Sequence, residues 1–296
     1  MKRREFIAAA ALLAAGCAAP GAMGGEAFRS DRINVVTQGS GPDVVLVHGL
    51  GSSRDVWREM IAAVPGYRYH LVQMSGFGGT PIGESNKAGP VAGPVAEEIA
   101  RYIVEARLDR PAIIGHSMGG WIAMALGARH PGVVSKVMVV DMLPFMGAMF
   151  GPPGTTAESV RPVADQIRDR MIASDPDTRR QTIAATIATM IKTEDRRAEA
   201  IKQSFDSDAG MSARSMHELI STDLRPELAA IKVPVTVLYV RSPAAPVTDA
   251  QMDGFYKLSY ANVPQAKLVR IPDAYHFIMW DAPQRFAEEV RTFLGG

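Results

Sequence analysis

The stretch IIGHSMGG, residues 113–120, decides how the rest of the chain is interpreted. An apolar strand pattern ends just before Ser117, and residues 118–129 carry a helical pattern that starts just after it. Gly115 and Gly119 complete a G-x-S-x-G pattern, in which small residues allow a sharp strand-to-helix turn to close. The pattern therefore predicts a nucleophilic serine at a helix N-terminus, where negative charge is favoured. The alternative is a glycine-rich turn in which the serine only caps the helix.

An earlier glycine-rich turn is predicted to face this serine. Residues 44–47 form a continuous apolar run, typical of a strand buried on both faces, and residues 48–51 read His-Gly-Leu-Gly. The backbone N–H groups of Leu50 and Met118 are the predicted pair that stabilises a developing oxyanion, worth roughly 3–4 kcal/mol for one donor. We expect His48 to be a structural hydrogen-bonding residue rather than a base.

His276 is the predicted general base for Ser117. A serine hydroxyl is a poor nucleophile until a neighbouring base takes its proton. His276 lies between the last strand pattern, residues 267–271, and the last helical pattern, residues 283–294. That late position fits the chain order Ser, Asp, His. The alternative is a polar loop histidine without a catalytic role.

Strand and helix patterns alternate along most of the chain, which predicts a doubly wound, mostly parallel sheet of the α/β class. The strand patterns are residues 33–37, 44–47, 69–73, 111–114, 137–140, 234–240 and 267–271. The alternation stops between residues 142 and 221, where no strand pattern occurs. Helical patterns there cover residues 158–173, 176–192, 194–205 and 212–221. We interpret this region as a helical insertion over the sheet.

Three motifs together resemble the α/β-hydrolase superfamily with a helical cap. They are residues 48–49, 115–119 and 273–280, and the glycine-rich residues 76–80 also resemble a segment of that family. The resemblance covers about residues 31–296. It implies an eight-stranded, mostly parallel sheet with an inserted helical cap, a catalytic triad, an oxyanion hole and no cofactor. Serine at the turn argues against epoxide hydrolases and dehalogenases of this superfamily, which use aspartate there.

The resemblance also suggests how the chain is divided. Residues 28–143 and 223–296 would form the hydrolase core, and residues 144–222 the helical cap. Residues 1–27 would be a signal peptide and linker.

The triad acid is the point at which this chain departs from the family. The family usually carries its acid just after the strand that reads residues 235–239 here, but residues 240–246 hold no carboxylate. Asp141 directly follows the strand pattern 137–140, so it should lie at the same sheet edge as the serine. Asp249 is the rival, because a long loop could bring it back to His276. We favour Asp141.

The expected activity is hydrolysis of carboxylic esters through an acyl-enzyme. One alternative is cleavage of a C–C bond or a lactone by the same triad. Another is a non-catalytic binding protein on a hydrolase scaffold, which only the missing carboxylate favours. Met146 and Phe150 belong to a Met/Phe cluster at the start of the cap. The cluster could be core packing, or it could be an apolar wall for an acyl or aromatic group of a small ester-like substrate.

Charge and motif content argue against several other classes of protein. The formal net charge is +1, from 32 basic and 31 acidic residues, which gives no electrostatic reason to expect nucleic acid as a partner. The sequence shows no zinc-ligand spacing, no G-x-G-x-x-G and no P-loop, so we predict neither a metal nor a cofactor.

The N-terminus has the pattern of an export signal. Basic residues 2–4 precede an apolar run, residues 6–16, that is too short to span a bilayer comfortably. The Arg-Arg pair resembles a twin-arginine signal, and residues 14–17 partly resemble a bacterial lipobox that ends at Cys17. The alternative is a plain signal peptide cut near Ala18. We predict export to the periplasm or cell envelope, with Cys17 as a lipid anchor and the only link to a membrane.

Overall fold

Seven strands form one sheet in this computed structural model, which describes residues 28–242 and 245–296. The strands are β1 (Ile33–Gly39), β2 (Asp43–Val47), β3 (Arg68–Met74), β4 (Ala112–His116), β5 (Lys136–Val140), β6 (Val235–Tyr239) and β7 (Lys267–Arg270). Their order across the sheet is β1-β3-β2-β4-β5-β6-β7. Only β1 runs antiparallel to its neighbour, and the other pairs are parallel. The predicted α/β, mostly parallel sheet is therefore confirmed.

The expected eighth strand does not occur in the described residues. Each of the seven strand patterns forms one strand, and the segment before β1 turns instead of extending along the sheet. The Ser30 hydroxyl accepts the N–H groups of Arg32 and Ile33 at 3.0 and 3.2 Å, which closes that turn. Within the described residues, the sheet therefore has one strand fewer than the resemblance implies.

Ten α-helices occur in the described residues. They are α1 (Arg58–Ala63), α2 (Ala92–Glu105), α3 (Met118–Arg129), α4 (Ala157–Ala173), α5 (Pro176–Met190), α6 (Glu194–Phe205), α7 (Ala209–Ser221), α8 (Asp249–Ser259), α9 (Ile278–Asp281) and α10 (Pro283–Gly295). Short 3₁₀ turns cover Arg54–Trp57, Glu84–Asn86, Met146–Phe150 and Glu227–Ala230. None of the helices in this part of the chain is both long and apolar enough to cross a membrane.

The core lies on both faces of the sheet. Alternate residues of β2 belong to two different apolar clusters: Val45 and Val47 to one, Val44 and Leu46 to the other. Helices α2 and α3 contribute to the first cluster, and α1, α9 and α10 to the second. Burial on both faces explains the continuous apolar runs in the sequence.

Helices α4 to α7 follow β5 and precede β6 along the chain, within the predicted insertion. We call residues 144–222 the cap. Helix α4 packs against α7, and α5 packs against α6. A small apolar cluster joins the start of the cap to α4 and α7, and its members are Phe145, Val160, Ala164 and Ile220. The division of the chain into core and cap domains stays a prediction. Residues 1–27, with the predicted signal peptide and Cys17, lie outside the described residues.

Candidate active site

Ser117 lies on a strained turn between β4 and α3. Its φ and ψ are 53° and −123°, a conformation that costs energy for a residue with a side chain. Its N–H donates to the Val140 carbonyl at 2.9 Å, so the neighbouring strand holds the turn. A Cβ on Gly115 would stand 2.0 Å from the Gly119 carbonyl oxygen, and one on Gly119 would stand 2.1 Å from that of Val47. Both glycines of the motif are therefore required by close backbone approach.

His276 and Asp141 meet at the same edge of the sheet. The distance from His276 Nδ1 to Asp141 Oδ2 is 2.6 Å, and the two side chains are 20% and 11% exposed. Asp141 directly follows β5, and its N–H donates to the Leu238 carbonyl of β6 at 2.7 Å. The hydrogen bond to a carboxylate assigns the proton to Nδ1, which leaves Nε2 able to accept a proton.

Asp249 lies elsewhere. It begins α8, is half-exposed, and pairs with Arg241 at 2.5 Å and Arg270 at 2.7 Å. The hydrogen bond from Arg241 and the charge of Arg270 lower the pKa of Asp249. Of the two carboxylates considered from the sequence, the structure brings only Asp141 to His276.

The turn after β2 lies against the serine. A Cβ built on Gly49 would stand 3.0 Å from the Cβ of Ser117, so the two segments are in contact. The neighbouring Leu50 and Met118 N–H groups have no hydrogen-bond partner within residues 28–242 and 245–296. Two backbone donors beside a serine can accept an oxyanion.

His48 fixes this turn to the sheet. It is fully buried; its Nδ1 donates to the Gly49 carbonyl at 2.8 Å, and its Nε2 accepts the N–H of Met74 at 3.1 Å. Burial lowers the pKa of His48 to about 4, so the ring is neutral at ordinary pH. Its position between the turn and β3 agrees with a structural role.

His116 is a site neighbour whose role sequence reasoning did not identify. Its Nε2 donates to the His276 carbonyl at 3.1 Å, and its ring centroid is 4.7 Å from that of His276. Burial lowers the pKa of His116 well below its usual value, and the nearby His276 lowers it further. The neutral ring therefore supports the loop that carries His276. Its place next to Ser117 was the only signal in the sequence.

The cap also contacts the loop that carries His276. The Asp281 carboxylate accepts the N–H groups of Tyr275 at 2.9 Å, Lys192 at 3.0 Å and Thr193 at 2.9 Å. The Phe277 N–H donates to the Met190 carbonyl at 3.2 Å. Residues on both sides of His276 are thus linked to the cap by hydrogen bonds. Phe277 bonds directly to the last residue of α5, and Tyr275 shares the Asp281 carboxylate with the turn between α5 and α6.

The two apolar cap residues named from the sequence differ in exposure. Met146 is partly buried and packs against both the core cluster and the cap cluster. Phe150 is 40% exposed at the end of the same 3₁₀ turn. Their contact with a substrate stays a prediction. Within the described ranges, no group of three or more His, Cys, Asp or Glu side chains could hold a metal ion.

Most of this chain is similar to proteins of known sequence or structure. A family model described as "Alpha/beta hydrolase family" matches residues 44–289. A pimeloyl-[acyl-carrier protein] methyl ester esterase of Aeromonas hydrophila is 28% identical over 272 residues, covering 89% of this chain and 99% of the relative. An esterase from Exiguobacterium antarcticum has a similar fold, with a TM-score of 0.73, 20% identity, and coverage of 89% of this chain and 96% of that one. An enol-lactonase from Burkholderia xenovorans gives a TM-score of 0.71 with the same identity and coverage.

Proposed function

This chain belongs to the alpha/beta hydrolase family, and on that premise we propose that it hydrolyses carboxylic esters with Ser117, His276 and Asp141 as its triad. The observation that carries the proposal is the 2.6 Å hydrogen bond between His276 and Asp141, at the sheet edge where Ser117 lies on its strained turn. The likeness to methyl ester esterases supports an ester as the substrate.

In the first half of the reaction, Ser117 Oγ attacks the ester carbonyl carbon and His276 Nε2 takes the hydroxyl proton. Asp141 keeps the proton of His276 on Nδ1 and stabilises the imidazolium that forms. The Leu50 and Met118 N–H groups receive the oxyanion, because fixed donors stabilise charge that develops in the transition state. Collapse of the tetrahedral intermediate breaks the bond to the alcohol, and His276 protonates the departing oxygen.

In the second half, water hydrolyses the acyl-enzyme. His276 takes a proton from the water, whose oxygen attacks the acyl carbon, and the same two N–H groups receive the oxyanion again. The acid is released as the proton returns to Ser117. No step needs a metal or another cofactor.

The acyl group is proposed to lie against the apolar start of the cap. Met146 is partly buried beside the core cluster and Phe150 is partly exposed, so both could contact a substrate as well as the fold. Methionine adapts to varied shapes. We therefore propose a small ester with an apolar group.

A panel of p-nitrophenyl esters of increasing acyl length, with lactones added, tests the activity. The wild type should hydrolyse some of the esters and react with a fluorophosphonate probe, whereas folded Ser117→Ala should do neither. Met146→Ala and Phe150→Ala should alter the preference for acyl length while Ser117 still reacts with the probe. A wild type that ignores the probe would indicate a binding protein, and turnover of lactones alone would indicate the lactonase alternative.

A further inference from the structure

The two oxygens of the Asp141 carboxylate have different partners. Oδ2 contacts His276, whereas Oδ1 accepts the Tyr256 hydroxyl at 3.1 Å and the Val240 N–H at 3.1 Å. Val240 directly follows β6, and Tyr256 belongs to α8. The carboxylate is therefore held from three separate segments of the chain.

Tyr256 is fixed in the middle of a stack of tyrosine rings. Its ring centroid is 4.1 Å from that of Tyr239 and 6.3 Å from that of Tyr260, with interplanar angles of 19° and 7°. The outer two hydroxyls have their own acceptors, the Asp253 carboxylate at 2.8 Å for Tyr239 and the Met142 carbonyl at 2.6 Å for Tyr260. Only the middle hydroxyl of this stack donates to Asp141.

Tyr256 keeps its proton and so acts as a donor. Its side chain is buried, and burial followed by the charge of Asp141 raises the pKa of Tyr256 well above its usual value. The same two causes raise the pKa of Tyr260. Among the described residues, the titratable groups shown to interact with the carboxylate are thus His276, Tyr256 and Tyr260.

We propose that Tyr256 is a positioning residue for the triad acid, a role that rests on the proposed function. The last torsion of an aspartate side chain is broad, so one hydrogen bond does not fix the rotation of the carboxylate. Donors from Tyr256 and Val240 hold Oδ1, and Oδ2 is then aimed at His276 Nδ1. Helix α8 and the end of β6 can supply this support because both lie beside the residue that follows β5.

The test compares Tyr256→Phe with Tyr239→Phe, a matched loss of one hydroxyl from the same stack. With one donor to Oδ1 lost, the carboxylate is less well oriented in the transition state, so kcat of Tyr256→Phe should fall on the order of tenfold, with KM little changed. The pH at which kcat/KM reaches half its maximum on the acid side should rise, because a carboxylate with one donor fewer attracts the imidazolium proton more strongly. Tyr239→Phe should change neither quantity.

Asp141→Asn, measured in parallel, separates this proposal from the proposed function. If Asp141→Asn loses activity while Tyr256→Phe keeps the wild-type kcat and pH profile, the positioning role is wrong and the triad stands. If Asp141→Asn stays active, the acid assignment itself fails. Equal losses of kcat in both tyrosine variants, with equal falls in melting temperature, would show that packing of the stack is responsible and would overturn the positioning role.

Discussion

Ser117, Asp141 and Asp273 all adopt positive φ, with values of 53°, 51° and 60°. Ser117 and Asp141 follow β4 and β5 directly, and Asp273 lies in the loop between β7 and His276. Strain of this kind persists only where the surrounding structure imposes it. At the carboxyl ends of these strands it turns the chain abruptly, so that side chains of separate strands converge above the sheet edge.

The Asp141 assignment leads to a comparison of two variants. Asp141→Asn should lower kcat by about 10⁴, the loss expected when the base is left without a carboxylate that sets its tautomer. Asp249→Asn is the matched control, because it makes the same chemical change on a half-exposed carboxylate that pairs with arginines. Steady-state kinetics on the best ester would measure both. A large loss in Asp249→Asn together with a near-normal Asp141→Asn would contradict the assignment.

The sequence reduced the candidates for the carboxylate beside His276 to Asp141 and Asp249, but it could not decide between them. Asp141 follows a strand pattern directly, so its place at the sheet edge follows from the parallel arrangement. Asp249 follows a longer loop, and the path of that loop depends on which side chains its residues pair with. In the structure those partners are Arg241 and Arg270, and neither pairing has a pattern in the sequence.

Two elements far apart in the chain meet at the His276 loop. The turn between α5 and α6 belongs to the cap, and α9 belongs to the core, yet Asp281 of α9 accepts N–H groups from that turn and from Tyr275. The position of His276, the proposed base, therefore depends on the position of the cap. The cap is also tied to α2, because the Glu218 carboxylate accepts the N–H groups of Ala92 and Gly93 at 2.8 Å.

Asp281→Ala should weaken both the fold and the placement of His276. Three N–H groups would lose their acceptor. Because they are exposed or only partly buried, water can replace the carboxylate, and each lost hydrogen bond costs about 0.5–1.5 kcal/mol. We expect the free energy of unfolding to fall by about 2 kcal/mol and kcat to fall roughly tenfold. Hydrogen exchange should increase in residues 190–193 and 275–277. Glu288→Ala, on the exposed face of α10, is the control that should leave all three measurements unchanged.

The sequence patterns predicted every strand and the four cap helices, but not three helices of the core. The four cap helices fall within three residues of their predicted starts, and every strand pattern forms a strand. Helices α1, α8 and α9 were missed. For α8 a signal existed, since Thr248 and Gln251 form a capping box at its start. Helix α9 spans only Ile278–Asp281, too short for a period to be recognised.

At the scale of the whole molecule, we propose that residues 1–27 direct export and that Cys17 carries a lipid. Wild-type protein from a bacterial host should then partition with membranes, and Cys17→Ala should release the protein or block its maturation. Mass spectrometry of the mature N-terminus measures the modification directly. A wholly soluble wild type with an unmodified N-terminus would contradict lipidation, while hydrolysis in the ester assay would be unaffected.

Three buried histidines should make the stability of the whole fold depend on pH. Burial is the largest cause that lowers the pKa of His48, His70 and His116, and for His48 the value falls to about 4. In the unfolded chain a histidine titrates near pH 6.5, so below that pH the unfolded state binds more protons than the folded state. The contribution of these histidines to the free energy of unfolding is thus complete above about pH 6.5 and is lost as the pH falls towards 4.

Urea unfolding at about pH 7.5 and pH 5 measures this loss, since most carboxylates stay ionised across that range. His48 alone should lower the free energy of unfolding by about 2 kcal/mol at the lower pH, and the other two histidines should add to the fall. His48→Gln should be less stable at pH 7.5, because the ring bridges Gly49 and Met74, but its stability should fall less between the two pH values. His130→Gln is the matched control, the same substitution at a partly exposed histidine. If His48→Gln loses as much stability on acidification as the wild type does, burial of this ring is not a source of the pH dependence.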